Sequence, residues 1–358
     1  MGTPRLRPAL AAIPAYRPGR PPSPGDGPAY KLSSNENPFP PLPGVLAAAT
    51  EAARKMNRYP DMGVSRLHAA VAARFEVPIS QVASGAGSVA VLYHLLQATC
   101  EAGDEVVFAW RSFEAYPIAV GLTGARAVQV PLAAGSRHDL AGMLAAVGPA
   151  TRVVLVCSPN NPTGPAVHHD QLVDFLDAVP DDVVVVLDEA YREFVTDPAA
   201  ADCMRIARGR DNVVVLRTFS KAYGLAGLRV GIAVASPAVA QAIRKCSLPF
   251  GVSSVAQAAA LASLDAEDEL QERVQAVVKE RSRLVDALRD QGWDVPDAQG
   301  NFCWLALGER SAAFAASCDA RGVTVRAFQP EGVRVTVGEP AADDIVLDVA
   351  RRWRANGG

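Results

Sequence analysis

The chain has 358 residues, 49% of them hydrophobic and 20% charged, with a net charge of −3. That length allows two or three domains, and the slight acidity excludes an electrostatic case for nucleic acid or an anionic membrane surface, so neither is expected as a partner. The six cysteines are scattered, with no CxxC pair and no metal-ligand spacing, which points to reduced thiols, no metal and a cytoplasmic protein.

Residues 1–43 carry much of the proline, as in YRPGRPPSPGDGP and NPFPPLPG, and read as an extended arm. The start, Met1 to Tyr16, has only a short proline-broken apolar patch and is not expected to be a signal peptide; no apolar run approaches a membrane span. Helical patterns follow at Val45–Met56 and Val64–Phe75. Then apolar runs alternate with amphipathic stretches. The strand candidates are Val82–Ser84, Glu105–Ala109, Ala127–Val130, Arg152–Cys157, Val183–Leu187, Val213–Leu216 and Val230–Ala235. Their near-continuous Val and Leu content predicts strands covered on both faces, an α/β layer built on a mainly parallel sheet. After Leu248–Val252 the pattern becomes helix-rich to Arg289, followed by short strands near Phe302–Leu307, Val323–Arg326 and Gly332–Val337 and a helix near Ala341–Arg354. The expected organisation is an arm (1–43), a large domain (44–247) and a smaller α+β domain (248–358).

Ligands in open α/β sheets bind beyond the carboxyl ends of the strands. Four strand ends carry unusual polar residues. Ser84-Gly-Ala-Gly-Ser88 precedes a helical stretch, and small residues there let backbone N–H groups approach a phosphate; the spacing is not the GxGxxG of a dinucleotide site. Cys157-Ser-Pro-Asn-Asn-Pro-Thr-Gly164 is a sharp turn in which an X-Pro bond is a candidate for cis, and it presents Asn161, whose amide suits a phenolate oxygen. Asp188 follows five apolar residues and is costly to desolvate unless a cation partners it; a pyridinium nitrogen would do so, while a turn cap is the simpler alternative. Tyr191 stands three residues on. Finally Thr218–Gly231, TFSKAYGLAGLRVG, supplies Lys221 for a Schiff base and Ser220 with Arg229 for a phosphate. An aldehyde-seeking lysine and a phosphate-seeking arginine together suggest pyridoxal 5′-phosphate (PLP).

These motifs, with Lys31-Leu-Ser-Ser-Asn-Glu-Asn-Pro38 near one end and Gly332-Val-Arg-Val-Thr-Val-Gly338 near the other, resemble the fold-type I PLP enzymes and, within them, the class I/II aminotransferases. The chain is similar to the histidinol-phosphate aminotransferase branch and, more narrowly, to the aromatic amino acid aminotransferases beside it, through SSNENPFPPLPGV, NRYPD and GDEVVFAWRSFEAYPI.

The resemblance implies a residue-by-residue site. Lys221 matches the Schiff-base lysine and Asp188 the partner of the ring nitrogen; Asn161 and Tyr191 match the groups on the phenolic oxygen. Ala86, Gly87, Ser88, Ser220 and Arg229 match the phosphate cup, although relatives often carry acidic residues after Gly-Ala, where this chain has Gly87-Ser88. Phe113 matches the aromatic stacked on the ring, and Tyr59 a residue reaching the phosphate of a neighbouring subunit, which implies a homodimer. Arg334 matches the substrate-carboxylate arginine, with Arg326 and Asn35 also at the substrate. The implied activity is transamination of aromatic amino acids, phenylalanine and tyrosine, with 2-oxoglutarate as acceptor. The rivals are histidinol-phosphate aminotransferase, an amino-acid-phosphate decarboxylase on the same scaffold and, from another class, a PLP-binding regulator without turnover. Trp110-Arg-Ser-Phe-Glu-Ala-Tyr116, beside an arm bearing Tyr16 and Tyr30, tilts the expectation toward aromatic substrates.

Overall fold

A computed structural model describes residues 4–22 and 28–355; part of the proline-rich arm, residues 23–27, lies outside the described residues. In chain order the chain forms β1 (Tyr30–Leu32), α1 (Pro43–Ala53), α2 (Ser65–Phe75), β2 (Val82–Gly85), α3 (Ser88–Thr99), β3 (Glu105–Trp110), α4 (Ala115–Thr123), β4 (Arg126–Pro131), α5 (Leu140–Ala145), β5 (Thr151–Cys157), α6 (His169–Ala178), β6 (Val184–Asp188), α7 (Cys203–Ile206), β7 (Val213–Thr218) and β8 (Gly231–Val234). It continues with α8 (Pro237–Cys246), α9 (Ser254–Asp265), α10 (Glu267–Asp290), β9 (Phe302–Leu305), α11 (Ser311–Asp319), β10 (Val323–Phe328), β11 (Gly332–Thr336) and α12 (Pro340–Ala355).

The seven Val-rich runs make one sheet in the order β2-β8-β7-β6-β5-β3-β4. Only β8 runs against its neighbours, β2 and β7; the other strand pairs are parallel. Alternate side chains serve the two faces. Val106, Phe108, Leu155, Val186 and Val214 pack with Leu92 and Leu95 of α3, while Val107, Val154, Val185, Leu187 and Val215 pack with Leu172 and Phe175 of α6. A strand with a helix layer on each side has no polar face, and this is why the runs read as continuous apolar segments.

The second sheet has four strands, β1-β10-β11-β9. Three are antiparallel neighbours, and the fourth comes from residues 1–43: Tyr30–Leu32 pairs in parallel with Val323–Val325. The expected free arm is therefore tied down at this point, with Leu32 only 2% exposed. Helix α9 packs with Val45, Leu67, Val82, Phe219 and Ile232, on the large-sheet side, and the small-sheet core instead takes α10 and α12. Among the described residues, no helix is long and apolar enough to cross a membrane.

Because β2, β3, β5, β6 and β7 run in parallel, their carboxyl ends lie together. Register pairs Cys157 with Asp188 and Asp188 with Leu216, which aligns the ends of three central strands. The loops leaving these ends carry the polar residues singled out in the sequence.

Candidate active site

A cavity of about 240 Å³ opens at these strand ends and reaches the small sheet; Lys221, Asp188, Tyr191, Asn161, Phe113, Ser88, Ser220, Arg229, Arg326 and Arg334 all border it. Two sheets and the arm build it: β6 delivers Asp188, the loop after β7 delivers Lys221, and β11 delivers Arg334.

Asp188 is 6% exposed. The buried Tyr116 hydroxyl donates to its Oδ2 at 2.8 Å and the Ala190 N–H donates to Oδ1 at 3.3 Å. Burial outweighs these bonds and raises the carboxyl to about 6. Lys221 Nζ donates to the Ser34 carbonyl at 3.1 Å. Burial, aided by the positive charge of Arg334, lowers its ammonium to about 7, with Glu36 opposing and Arg229 adding to the fall. The lysine therefore holds a substantial free-amine fraction at neutral pH.

Both X-Pro bonds in the turn after β5, Ser158-Pro159 and Asn161-Pro162, are cis. Asn161 Oδ1 accepts from Arg334 Nη1 at 2.6 Å, and its amide nitrogen makes no bond to the protein among the described residues. Tyr191 packs edge-on to Phe302, and burial raises its hydroxyl well above the ordinary phenol range. Asn35 was expected at the substrate. Instead it is fully buried and donates from Nδ2 to the Tyr191 hydroxyl at 3.0 Å, while its Oδ1 accepts from Thr336 Oγ1 at 2.9 Å. Asn35 thus holds Tyr191 and does not border the cavity.

Helix α3 begins at Ser88 with no side-chain cap, so its first N–H groups stay available to an anion. Gly87 turns with φ +85°, and a Cβ there would collide with the Arg229 guanidinium. Arg229 Nη1 donates to Ser220 Oγ at 3.2 Å, which brings a cation, a hydroxyl and the helix start into one corner. Ala86 and Gly87 form the turn into α3, whereas Ser88 borders the cavity itself. Phe113 stands edge-on to Tyr116, at 5.6 Å between ring centres.

On adjacent strands Arg326 and Arg334 are register partners with different surroundings. Arg334 donates to Asn161 and, at 2.7 Å, to the Ser33 carbonyl; its Nε is buried without a partner. Arg326 donates to Glu114 at 2.8 Å and to the carbonyls of Pro18 and Arg17. Tyr59 does not border its own chain's cavity; it is 82% exposed and stacks on Phe250.

The profile of the family described as aminotransferase class I and II matches residues 28–349. The chain belongs to this family. A protein named aromatic amino acid aminotransferase from Streptomyces coelicolor is 58% identical over 98% of both chains, and one of the same name from Thermobifida fusca is 56% identical over 98% of this chain and 97% of its own. Among solved structures, histidinol-phosphate aminotransferase from Sinorhizobium meliloti in complex with pyridoxal-5′-phosphate is similar at a TM-score of 0.89 and 29% identity, covering 100% of this chain and 99% of that one.

Class I and II aminotransferases depend on PLP, and the residues present fit that cofactor. A buried carboxyl whose protein partners are uncharged donors suits a protonated ring nitrogen, and the uncapped start of α3 with Arg229 suits a phosphate. The sequence singled out Tyr116 within the aromatic stretch Trp110–Tyr116 but not its bond to Asp188. Phe113 lies just before α4 and Tyr116 in its first turn, so no local spacing pairs Tyr116 with Asp188, 72 residues on. The Ser33 and Ser34 carbonyls carried no signal, because any residue type supplies one.

Proposed function

We propose that this aminotransferase acts on aromatic amino acids, phenylalanine and tyrosine, with 2-oxoglutarate as acceptor. One observation carries the substrate reading: the cavity holding Lys221 and Arg334 is walled by Phe113, Phe328 and Tyr16. The names of the relatives from Streptomyces coelicolor and Thermobifida fusca agree with it.

In this proposal the α3 N-terminus, Ser220 and Arg229 hold the cofactor phosphate. Asp188 faces the ring nitrogen, Asn161 and Tyr191 the phenolic oxygen, Phe113 the ring face, and Lys221 the aldehyde. When bound, PLP supplies an aldehyde and an electron-withdrawing ring that make the α-proton of an amino acid acidic. Tyr116 fixes the Asp188 carboxylate so that its charge holds the proton on the ring nitrogen. Arg334, whose own partners are all uncharged, orients the substrate through its α-carboxylate. Lys221, poised near neutrality, would take the α-proton at Nζ and deliver it across the substrate nitrogen, to the carbon that the cofactor supplies as aldehyde. The walls exclude water while that proton is in transit.

The second subunit belongs to the same reading. Tyr59 is exposed and stacks on Phe250, and both are expected to lie against a partner copy whose phosphate corner Tyr59 would complete. The substrate reading is tested by single half-reactions of phenylalanine, tyrosine, tryptophan and histidinol phosphate, following the absorbance of bound PLP. Phenylalanine and tyrosine are expected to give the higher kcat/KM; a clear preference for histidinol phosphate would replace the aromatic reading and leave the cofactor assignments untouched.

A further inference from the structure

The two register-paired arginines divide the cavity into a charged end and a neutral one. Among the described residues Arg334 bonds only to an amide oxygen and a carbonyl, so its full charge remains for a carboxylate. Arg326 is already ion-paired: Glu114 Oε2 accepts from Nη2 at 2.8 Å, with the two side chains 13% and 30% exposed. Both residues of this pair border the cavity, together with Phe328, which lies 5.5 Å from the Arg326 guanidinium. The Pro18 and Arg17 carbonyls also hold Arg326, so its position does not depend on Glu114 alone. What Glu114 adds is a negative charge.

We propose that Glu114 sets the substrate class by neutralising Arg326, so that this wall accepts an uncharged side chain and resists a second anion. The proposal deepens, and rests on, the aromatic reading above. A neutral aromatic side chain leaves the Glu114–Arg326 pair intact and packs on the adjoining apolar wall. A side-chain carboxylate or phosphate must displace Glu114 from Arg326 and then sit beside a carboxylate in a sheltered cavity, where like charges repel strongly. The amino acceptor, carrying a second carboxylate, must make the same exchange and is bound more weakly for it.

The test uses PLP-loaded wild type, Glu114→Gln, Glu114→Asp and the double variant Glu114→Gln/Arg326→Gln. Glutamine keeps the shape and an acceptor oxygen while removing the charge. In Glu114→Gln, kcat/KM for aspartate and histidinol phosphate relative to phenylalanine is expected to rise about tenfold, and KM for 2-oxoglutarate to fall. Two unreactive probes, succinate and 3-phenylpropionate, are titrated by the change in PLP absorbance. Succinate should tighten relative to 3-phenylpropionate, and the gain should shrink as salt is raised, as a charge effect does and a packing effect does not. Glu114→Asp should keep the wild-type ratio, and the double variant should lose the gain. An unchanged ratio in Glu114→Gln, or an equal loss for every donor and both probes, would overturn the proposal and leave Glu114 a wall residue only. Should wild type itself prefer histidinol phosphate, the aromatic reading fails, while succinate binding to Glu114→Gln against Glu114→Asp still decides the role of Glu114.

Discussion

Asp188 and Lys221 are both held against their solution preferences, and burial is the leading cause for each. A carboxyl raised to about 6 resists ionisation, and an ammonium lowered to about 7 resists protonation. Groups with such opposed shifts in one cavity mark a site arranged for proton chemistry rather than for stability. The cost is measurable in the cofactor-free protein. Well below pH 3.8 the acid is protonated in both folded and unfolded chains and costs nothing. Between the ordinary carboxyl value of 3.8 and about 6 the folded chain binds the extra proton, so this group removes stability as pH rises. Above 6 the penalty is constant. Asp188→Asn, still able to accept from Tyr116, is therefore expected to stabilise the cofactor-free protein at pH 8 by about 1–3 kcal/mol, with little difference from wild type at pH 4. Urea unfolding at the two pH values checks this. The same variant should lose at least about a hundredfold in turnover, since an amide carries no charge to hold a proton on the ring nitrogen.

At the level of elements, the phosphate corner depends on how closely β2, β8 and the start of α3 approach. A Cβ on Gly231 would strike the Ser88 backbone, and one on Gly87 would strike Arg229. Gly87 also has φ +85°, so alanine there meets both strain and collision. Gly87→Ala is expected to weaken PLP binding about tenfold or more, read by equilibrium titration of the apoprotein, with a smaller change in Tm. The strands around this corner were legible in the sequence, because strands buried on both faces leave unbroken apolar runs. The three-residue β1 was not. It lies in a proline-rich segment, and its partner strand is fixed by tertiary packing with Val323–Val325, which no local pattern encodes. Asp188 was legible because it ends an apolar run with a side chain too polar for its surroundings, and Asn161 and Lys221 because they stand in the turns that follow two more such runs. The Asn35–Tyr191 and Arg334–Asn161 bonds join residues 156 and 173 positions apart, and the sequence offers each partner without the pairing. Arg326 was placed at the substrate without its partner for the same reason, since Glu114 is brought to it only by the fold.

For the whole molecule, the question is whether one chain contains a complete site. The phosphate corner is formed within the chain by Ser220, Arg229 and the start of α3, yet Tyr59 does not border the cavity and is 82% exposed. In the proposed dimer Tyr59, which stacks on the 39% exposed Phe250, would lie against a second copy and reach the phosphate held there. Hybrid dimers separate the two arrangements. Lys221→Ala subunits lack the reactive amine, and Tyr59→Phe subunits lack the hydroxyl; each homodimer carries its defect in both sites. If Tyr59 crosses, a hybrid has one site with both substitutions and one with neither, because the intact lysine of one subunit meets the intact tyrosine of the other. Mixing the two proteins at limiting PLP, after allowing subunits to exchange, should then yield sites with wild-type cofactor affinity and turnover that neither parent possesses. If Tyr59 serves its own chain, each hybrid site carries one substitution and the mixture can do no better than the average of its parents. The number of restored sites, titrated with PLP, should approach one per hybrid dimer.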